Sequence, residues 1–292
     1  MKILLNKYIS FSIKFFTMIK LALNQNSCKN LSLIEFIKFS RDFDGVELNF
    51  KEIKKELSNN INLKHILETL ETYNLEVYDI FKLKNFSLCS ENHFKTDILG
   101  VLNQMFSFCD KLESNLIIVN PSKFDRSFES DIIPKWRIIN RTKKRLEIIT
   151  KKANKEDINI GFEFLSGSSI STLNDAIEVL EPFETIENLG FIIDLFHIVK
   201  SESDYFLLQY IKDFIFLIQF SDLEYEKENS IDISSALKEA KRTFPGEGFY
   251  KLKDFIKFTQ KIGYRKKYSL ELSKDECLGN LYKKFNREYI VN

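Results

Sequence analysis

The chain has 292 residues, 44% hydrophobic and 29% charged, enough for one large domain with a full core or for two small ones. Its 43 basic and 42 acidic residues leave a net charge of +1, which removes any global electrostatic case for nucleic acid or an anionic membrane as partner. The four cysteines (Cys28, Cys89, Cys109 and Cys277) are dispersed without a C-x-x-C pair, as expected for free thiols in a reducing cytoplasm and not for a zinc knuckle or disulfide framework.

The N-terminal stretch "MKILLNKYISFSIKFF" is interrupted by Lys7 and Lys14 and is followed by no small-residue cleavage site. It reads as a first strand, "YISFSI", in a cytoplasmic protein. No segment approaches the roughly 20 apolar residues of a membrane span. Seven more short apolar runs follow in order: "FDGVELNF", "LEVYDIF", "SNLIIVN", "INIGFEFL", "LGFIIDLF", "FIFLIQF" and "KYSLEL". Most lack in/out alternation, the pattern of parallel strands covered on both faces. Amphipathic helical stretches lie between them, among them "NLSLIEFIKFSRDF", "NLKHILETLETYN", "PKWRIINRTKKRLEIITKKAN", "STLNDAIEVLEPF" and "FYKLKDFIKFTQKIGY".

Strand then helix, repeated about eight times, predicts an α/β fold of the (β/α)8 TIM-barrel kind, a single domain over residues 1–292. An open doubly wound sheet would advertise a Gly-rich phosphate turn after its first strand, and none is present. With only 9 glycines and 4 prolines there is no linker at which to place a boundary. The stretch "SDLEYEKENSIDISSALKEAKRTFPGEG" after the seventh strand is a long polar insertion of the kind that lies over a barrel mouth.

Catalytic groups in such a barrel come from the C-terminal ends of strands. Reading only those positions gives Glu47, Glu163, Asp194, His197, Gln219, Asp222 and Glu271. A carboxylate such as Asp194 at the end of a buried run costs several kcal/mol unless something balances its charge. Strand ends in a closed barrel converge on one axis, so Glu163, Asp194, Gln219 and Glu271 can point at one ion. Such an all-oxygen set favours Mn²⁺ or Mg²⁺, with Zn²⁺ or Co²⁺ less suited. His197 then sits beside the metal, where it can hydrogen-bond a substrate oxygen, and Glu47 is a candidate substrate contact. Asp222 supports Gln219, touches substrate or caps a turn. His65 reads as a helix-surface or packing residue and His93 as a loop residue.

The pieces "FDGVEL", "IGFEFL", "LGFIIDLFH", "IFLIQFSD", "RTFPGEG" and "IGYRKKYSLEL", in that order from Phe43 to Leu272, resemble the xylose isomerase-like TIM barrels, the sugar phosphate isomerase/epimerase superfamily. The resemblance implies one divalent metal on Glu163, Asp194, Gln219 and Glu271. It also implies substrate contacts from His197 of a D-x-x-H motif and from Arg242 of an R-x-x-P-G motif. The implied activity is isomerisation or epimerisation of a small sugar, sugar phosphate or related polyhydroxy carbonyl compound through an enediolate, with Glu163 and Glu271 moving the proton. A dehydratase of the inosose or dehydroshikimate type, or an inactive barrel serving as a binding module, are the alternatives. Two departures stand out: Gln219 replaces the histidine of many members, and "FLSGSS" offers only serines where the ketose 3-epimerases have a second glutamate. The related apurinic endonuclease IV group needs several histidine ligands, which a chain with three histidines does not supply. The expected partner is a small molecule, with neither nucleic acid nor membrane, and homo-oligomerisation is left open.

Overall fold

Parallel strands covered on both faces close on themselves when helices take the outer face and side chains fill the centre, and the chain does this. In the computed structural model, residues 19–59, 62–123, 133–183, 186–224 and 240–272 are described. The strands are β1 (Lys20–Asn24), β2 (Gly45–Asn49), β3 (Glu76–Leu83), β4 (Leu116–Val119), β5 (Asn159–Phe162), β6 (Leu189–Asp194), β7 (Ile215–Phe220), β8 (Asp222–Glu224), β9 (Lys241–Thr243) and β10 (Lys267–Leu270). Eight of them form a closed barrel in the order β1-β10-β7-β6-β5-β4-β3-β2, every neighbouring pair parallel. The two short strands β8 and β9 form an antiparallel ribbon beside the mouth.

Seven of the expected strands are barrel strands, and one expectation is corrected. The run "YISFSI" lies outside the described residues, and the strand that closes the barrel is "KLALN", Lys20–Asn24. It pairs with β10 through Leu21↔Tyr268 and with β2 through Asn24↔Glu47. The sequence between the two runs holds no Gly or Pro, so nothing punctuates the apolar stretch or says which part pairs.

The lack of alternation has its cause in two separate cores. Ala22, Tyr78, Phe81, Leu116, Ile118, Ile192 and Leu217 fill the barrel centre. Their strand neighbours Leu21, Leu23, Val77, Ile80, Ile117, Val119, Phe191, Ile193 and Ile218 face the helical layer. Each fully buried aliphatic side chain contributes about 1.5–3 kcal/mol relative to exposure, so either register slip would be heavily disfavoured. Gly190 of β6 has no room for a side chain, since a Cβ there would sit 2.3 Å from the Phe214 carbonyl oxygen.

The longer helices are α1 (Leu33–Phe39), α2 (Phe50–Ser58), α3 (Leu63–Thr72), α4 (Leu99–Lys111), α5 (Lys135–Ala153), α6 (Leu173–Leu180) and α7 (Leu252–Lys261). Helix α1 starts at a reciprocal capping box of Ser32 and Glu35. Thr172 caps α6 by accepting from the Asp175 N–H. Among the described residues no helix is long and apolar enough to cross a membrane. Cys28 and Cys109 are buried free thiols, Cys89 is a partly buried one, and Cys277 lies outside the described residues.

Candidate active site and metal centre

Closing the barrel brings strand ends far apart in sequence to one place. The Glu163 N–H donates to the Val119 carbonyl at 3.1 Å, and the Glu271 N–H to the Phe220 carbonyl at 3.0 Å, so both follow directly from ladder pairing. Asp194 ends β6 opposite Gln219 of β7. Glu163, Asp194, Gln219 and Glu271 are all buried, at 0%, 1%, 0% and 5% exposure.

Buried acceptors normally find donors, yet three here have none. Glu163 Oε1, Gln219 Oε1 and Glu271 Oε2 receive no hydrogen bond, while the other end of each side chain is firmly held. Glu163 Oε2 accepts from Asn120 Nδ2 at 2.8 Å, Gln219 Nε2 donates to Glu47 Oε2 at 2.6 Å, and Glu271 Oε1 accepts from Asn26 Nδ2 at 3.0 Å. Each residue therefore has one oriented end and one open oxygen. Hard, open oxygens on three of the four residues expected to hold a divalent cation fit Mg²⁺ or Mn²⁺ chemistry. Asp194, the fourth, is gripped on both oxygens by the Arg242 guanidinium, with Nη1 3.0 Å from Oδ1 and Nη2 against Oδ2. Arg242 Nη2 also lies 3.5 Å from Glu271 Oε2, and its guanidinium stacks 4.3 Å from the centroid of the Phe196 ring.

Among the described residues, ligand atoms of Glu163, Asp194 and His197 lie within 4.8 Å of one another. The histidine's tautomer decides what it offers. The Ser166 backbone N–H donates to Nδ1 at 3.2 Å, so the neutral ring carries its proton on Nε2. That nitrogen faces Asp194 Oδ2 at 3.6 Å and Glu163 Oε1 at 4.0 Å. Burial first, then the Arg242 and Lys82 charges, push the imidazole down to about 4 despite Asp194, so the ring stays neutral near pH 7. It is a hydrogen-bond donor aimed into the site, as the D-x-x-H motif implied. Ser166, from the all-serine "FLSGSS" stretch, is what orients it.

The carboxylates differ in environment. Burial raises Glu163, opposed by Lys82 and assisted by the negative charges of Glu271 and Asp194. Burial acts on Glu271 in the same direction, but Arg242, Lys82 and the Asn26 hydrogen bond overcome it and hold that carboxyl at about 2. Two glutamates with separated proton affinities are an arrangement suited to proton transfer.

Glu47 is placed differently from the sequence expectation. It is fully buried, with Oε1 accepting from Asn24 at 2.9 Å and Oε2 from Gln219, so both oxygens are taken by side chains that line the site from below. Opposite it in the β2–β3 ladder stands Asp79, also fully buried, whose two oxygens have no hydrogen-bond partner among the described residues. Burial and the charge of Glu271 push Glu47 up to about 7. Asp222 is a clamp: its carboxylate accepts from the Leu223, Gly246 and Tyr250 N–H groups and so ties the β8–β9 ribbon to the "PGEG" turn. A side chain at Gly248 would collide with it, a Cβ lying 2.3 Å from Asp222 Oδ1. Through that ribbon the chain returns Arg242 to the mouth, with residues 225–239 of the insertion outside the described set. His65 is exposed on α3, and His93 is paired with Asp97 at 2.8 Å. Neither takes part.

With barrel, ligand-bearing strand ends and motifs in place, the decisive comparison is a family model for the xylose isomerase-like TIM barrel, which matches residues 40–289. The chain belongs to that family. Solved structures share the fold at low identity. The IolI protein with a bound zinc atom superposes with a TM-score of 0.75 at 20% identity, covering 93% of this chain and 94% of that one. The 3-keto-D-glucoside 4-epimerase YcjR from E. coli gives 0.70 at 15% identity, covering 93% and 97%. The probable 3-DHS dehydratase AsbF from Bacillus anthracis gives 0.68 at 15% identity, covering 94% and 96%. No curated protein matches the sequence.

Sequence reading missed Asn24, Asn26, Asp79, Lys82 and Asn120. All but Asn26 belong to β1, β3 or the residue after β4, and Asn26 directly follows β1. Lys82 is the consequential omission. Its ammonium lies 3.3 Å from Glu163 Oε2 with 11% of the side chain exposed. Burial disfavours the charge, but Glu163, Glu271 and Asp194 outweigh it, and the ammonium is held more tightly than usual. The available signal was a charged residue near the end of an apolar run, "LEVYDIFKL", the same signal that singled out Asp194.

Proposed function

We propose that the chain is a divalent-metal-dependent isomerase or epimerase of a small polyhydroxy carbonyl compound. The observation that carries this reading is the set of open, buried oxygens on Glu163, Gln219 and Glu271, each with its other end anchored. Glu163, Asp194, Gln219 and Glu271 would hold the cation, Mn²⁺ or Mg²⁺ by ligand hardness. When bound, the ion supplies Lewis-acid polarisation of the substrate's carbonyl and adjacent hydroxyl oxygens.

The protein groups do the rest. Glu163, steadied by the Asn120 amide, would ligate through one carboxylate oxygen and act through the other as base on the carbon next to the carbonyl. The C–H electron pair becomes the enediolate double bond, and the carbonyl oxygen takes up the negative charge. The His197 Nε2–H and the Arg242 guanidinium face the volume where that charge grows, as preorganised donors. Glu271, on the other side of Arg242, serves the opposite face. Return of the proton to the neighbouring carbon gives an isomer, and its return to the other face gives an epimer.

The test has two readouts. Adding Mn²⁺ to metal-free protein is expected to raise the melting temperature, since a ligand at a hundredfold excess over Kd stabilises the folded state by about 2.7 kcal/mol. Incubating the loaded protein with ketoses and inososes in D₂O is expected to place deuterium at the α carbon of a product of unchanged skeleton. Superimposable melting curves with and without Mn²⁺ remove the metal, and a product lighter by one water replaces isomerisation with dehydration.

A further inference from the structure

The structure assigns to Lys82 a substrate contact: its ammonium, with the lysines flanking it, selects a polyhydroxy carbonyl compound that carries an anionic group. This rests on the reading above for the reaction and extends it to the class of substrate.

Four observations meet here. Lys82 reaches in near the end of β3, on the wall opposite the β7 strand end, and is nearly nine-tenths buried. It forms no hydrogen bond to any described residue, and its nearest carboxylate, Glu163 at 3.3 Å, is already tied by Asn120. An ammonium has three N–H donors, and a single ion pair with Glu163 leaves others for a ligand. Finally, Lys82 is not alone. Lys51 follows β2, Lys84 follows β3 and Lys123 lies shortly after β4, three adjacent strand ends on the same side of the mouth.

Lys84 is near enough to the other three for burial, and then the charges of Lys82, Lys51 and Lys123, to depress its affinity for a proton. None of Lys51, Lys84 and Lys123 pairs with a carboxylate among the described residues. Mutual repulsion among lysines at a strand-end rim, which Glu163 offsets only in part, is relieved further by a bound anion. The metal side of the site is rich in open acceptors, and the rim of this side carries Lys51, Lys84 and Lys123 beside Lys82. A substrate whose hydroxyl and carbonyl oxygens face the cation therefore turns its anionic end toward Lys82.

The experiment uses the full chain loaded with Mn²⁺ and three probes of one skeleton: D-fructose, 2-keto-D-gluconate, which has a carboxylate at C1, and D-fructose 1-phosphate. Affinities are measured by calorimetry for wild type, Lys82→Gln and Lys82→Arg. One of the anionic probes is expected to bind at least tenfold tighter than fructose, and which one it is tells carboxylate from phosphate. Lys82→Gln is expected to erase that ratio while leaving fructose affinity within about twofold, and Lys82→Arg to retain most of it. A purely structural lysine would lower all three affinities together, so a ratio unchanged in Lys82→Gln overturns the proposal. So does a wild type that does not prefer either anion, or that binds Mn²⁺ but none of the probes. Failure to bind Mn²⁺ at all instead removes the metal reading on which the proposal rests.

Discussion

The two halves of the barrel mouth are chemically opposite. The half built from β5, β6, β7 and β10 presents Glu163, Gln219 and Glu271, each with an open oxygen, and Asp194 gripped by Arg242. The half built from β1 to β4 presents Asn26 and Asn120 as donors that hold Glu271 and Glu163 in place, and Lys82 as a fixed cation. The scaffold is the same on both sides: parallel strands, apolar inner layers and strand ends of equal burial. What differs is which charge each side would meet. On the reading proposed above, a cation would be met by the acceptors and an anionic substrate end by Lys82. Polarity across a site of this size orients a substrate before any chemistry begins.

Breaking the acceptor half should cost most. Glu163→Gln keeps one oxygen for a cation but gives up the acceptor for Asn120 and removes the base. Turnover is expected to fall by about 10² to 10⁴-fold while Mn²⁺ still raises the melting temperature. A variant that turns over at near wild-type rate places the base elsewhere.

An intermediate effect is expected beneath the site, where Glu47 and Asp79 stand opposite each other in the β2–β3 ladder. Asp79 is raised well above the ordinary aspartate value, by burial first and by the charge of Glu47 second. A carboxyl raised in the folded state destabilises progressively as pH climbs above its unfolded value, because the unfolded chain gives up the proton more readily. The contribution of Asp79 to stability is therefore expected to decline from about pH 4 upward through neutrality. Asp79→Asn supplies a donor to Glu47 without a proton to lose. Its stability relative to wild type should rise with pH, reaching on the order of 1–3 kcal/mol at pH 8 in denaturant titrations. A pH-independent difference would show that Asp79 is not held protonated.

The smallest effect concerns the outer lysines, which act at a distance. Lys84→Ala with Lys123→Ala is expected to slow association of 2-keto-D-gluconate with the Mn²⁺-loaded protein a few-fold at low salt, with dissociation unchanged. In about 1 M salt, where the screening length is about 3 Å, the difference should vanish. A slowing that survives high salt would mean these lysines touch the ligand directly.

The contrast between the halves also marks what was legible beforehand. Each acceptor except Gln219 is an acidic residue at the end of an apolar run, an anomaly visible in one dimension, and all four fall within recognisable family motifs. Asp79 and Lys82 interrupt "LEVYDIFKL" in the same way, yet no motif drew attention to them. Asn24, Asn26 and Asn120 are ordinary turn residues by type, and only contacts across the barrel reveal them as donors to Glu47, Glu271 and Glu163. Glu47 was found for its charge and its strand end, but its role depended on where Gln219 turned its amide.

By itself the sequence determined the repeated strand and helix, the parallel sheet covered on both faces, and the strand ends that carry oxygen ligands. These follow from periodicity, burial and local composition, which are encoded residue by residue. Only the tertiary structure decided that "KLALN" closes the barrel and that Arg242 returns on the β8–β9 ribbon to grip Asp194. It also decided that Lys82 lies against Glu163. The physical reason is closure. Strand 1 meets strand 10 across almost the whole chain, and the partner each polar group finds there depends on register and side-chain direction, which no local pattern specifies.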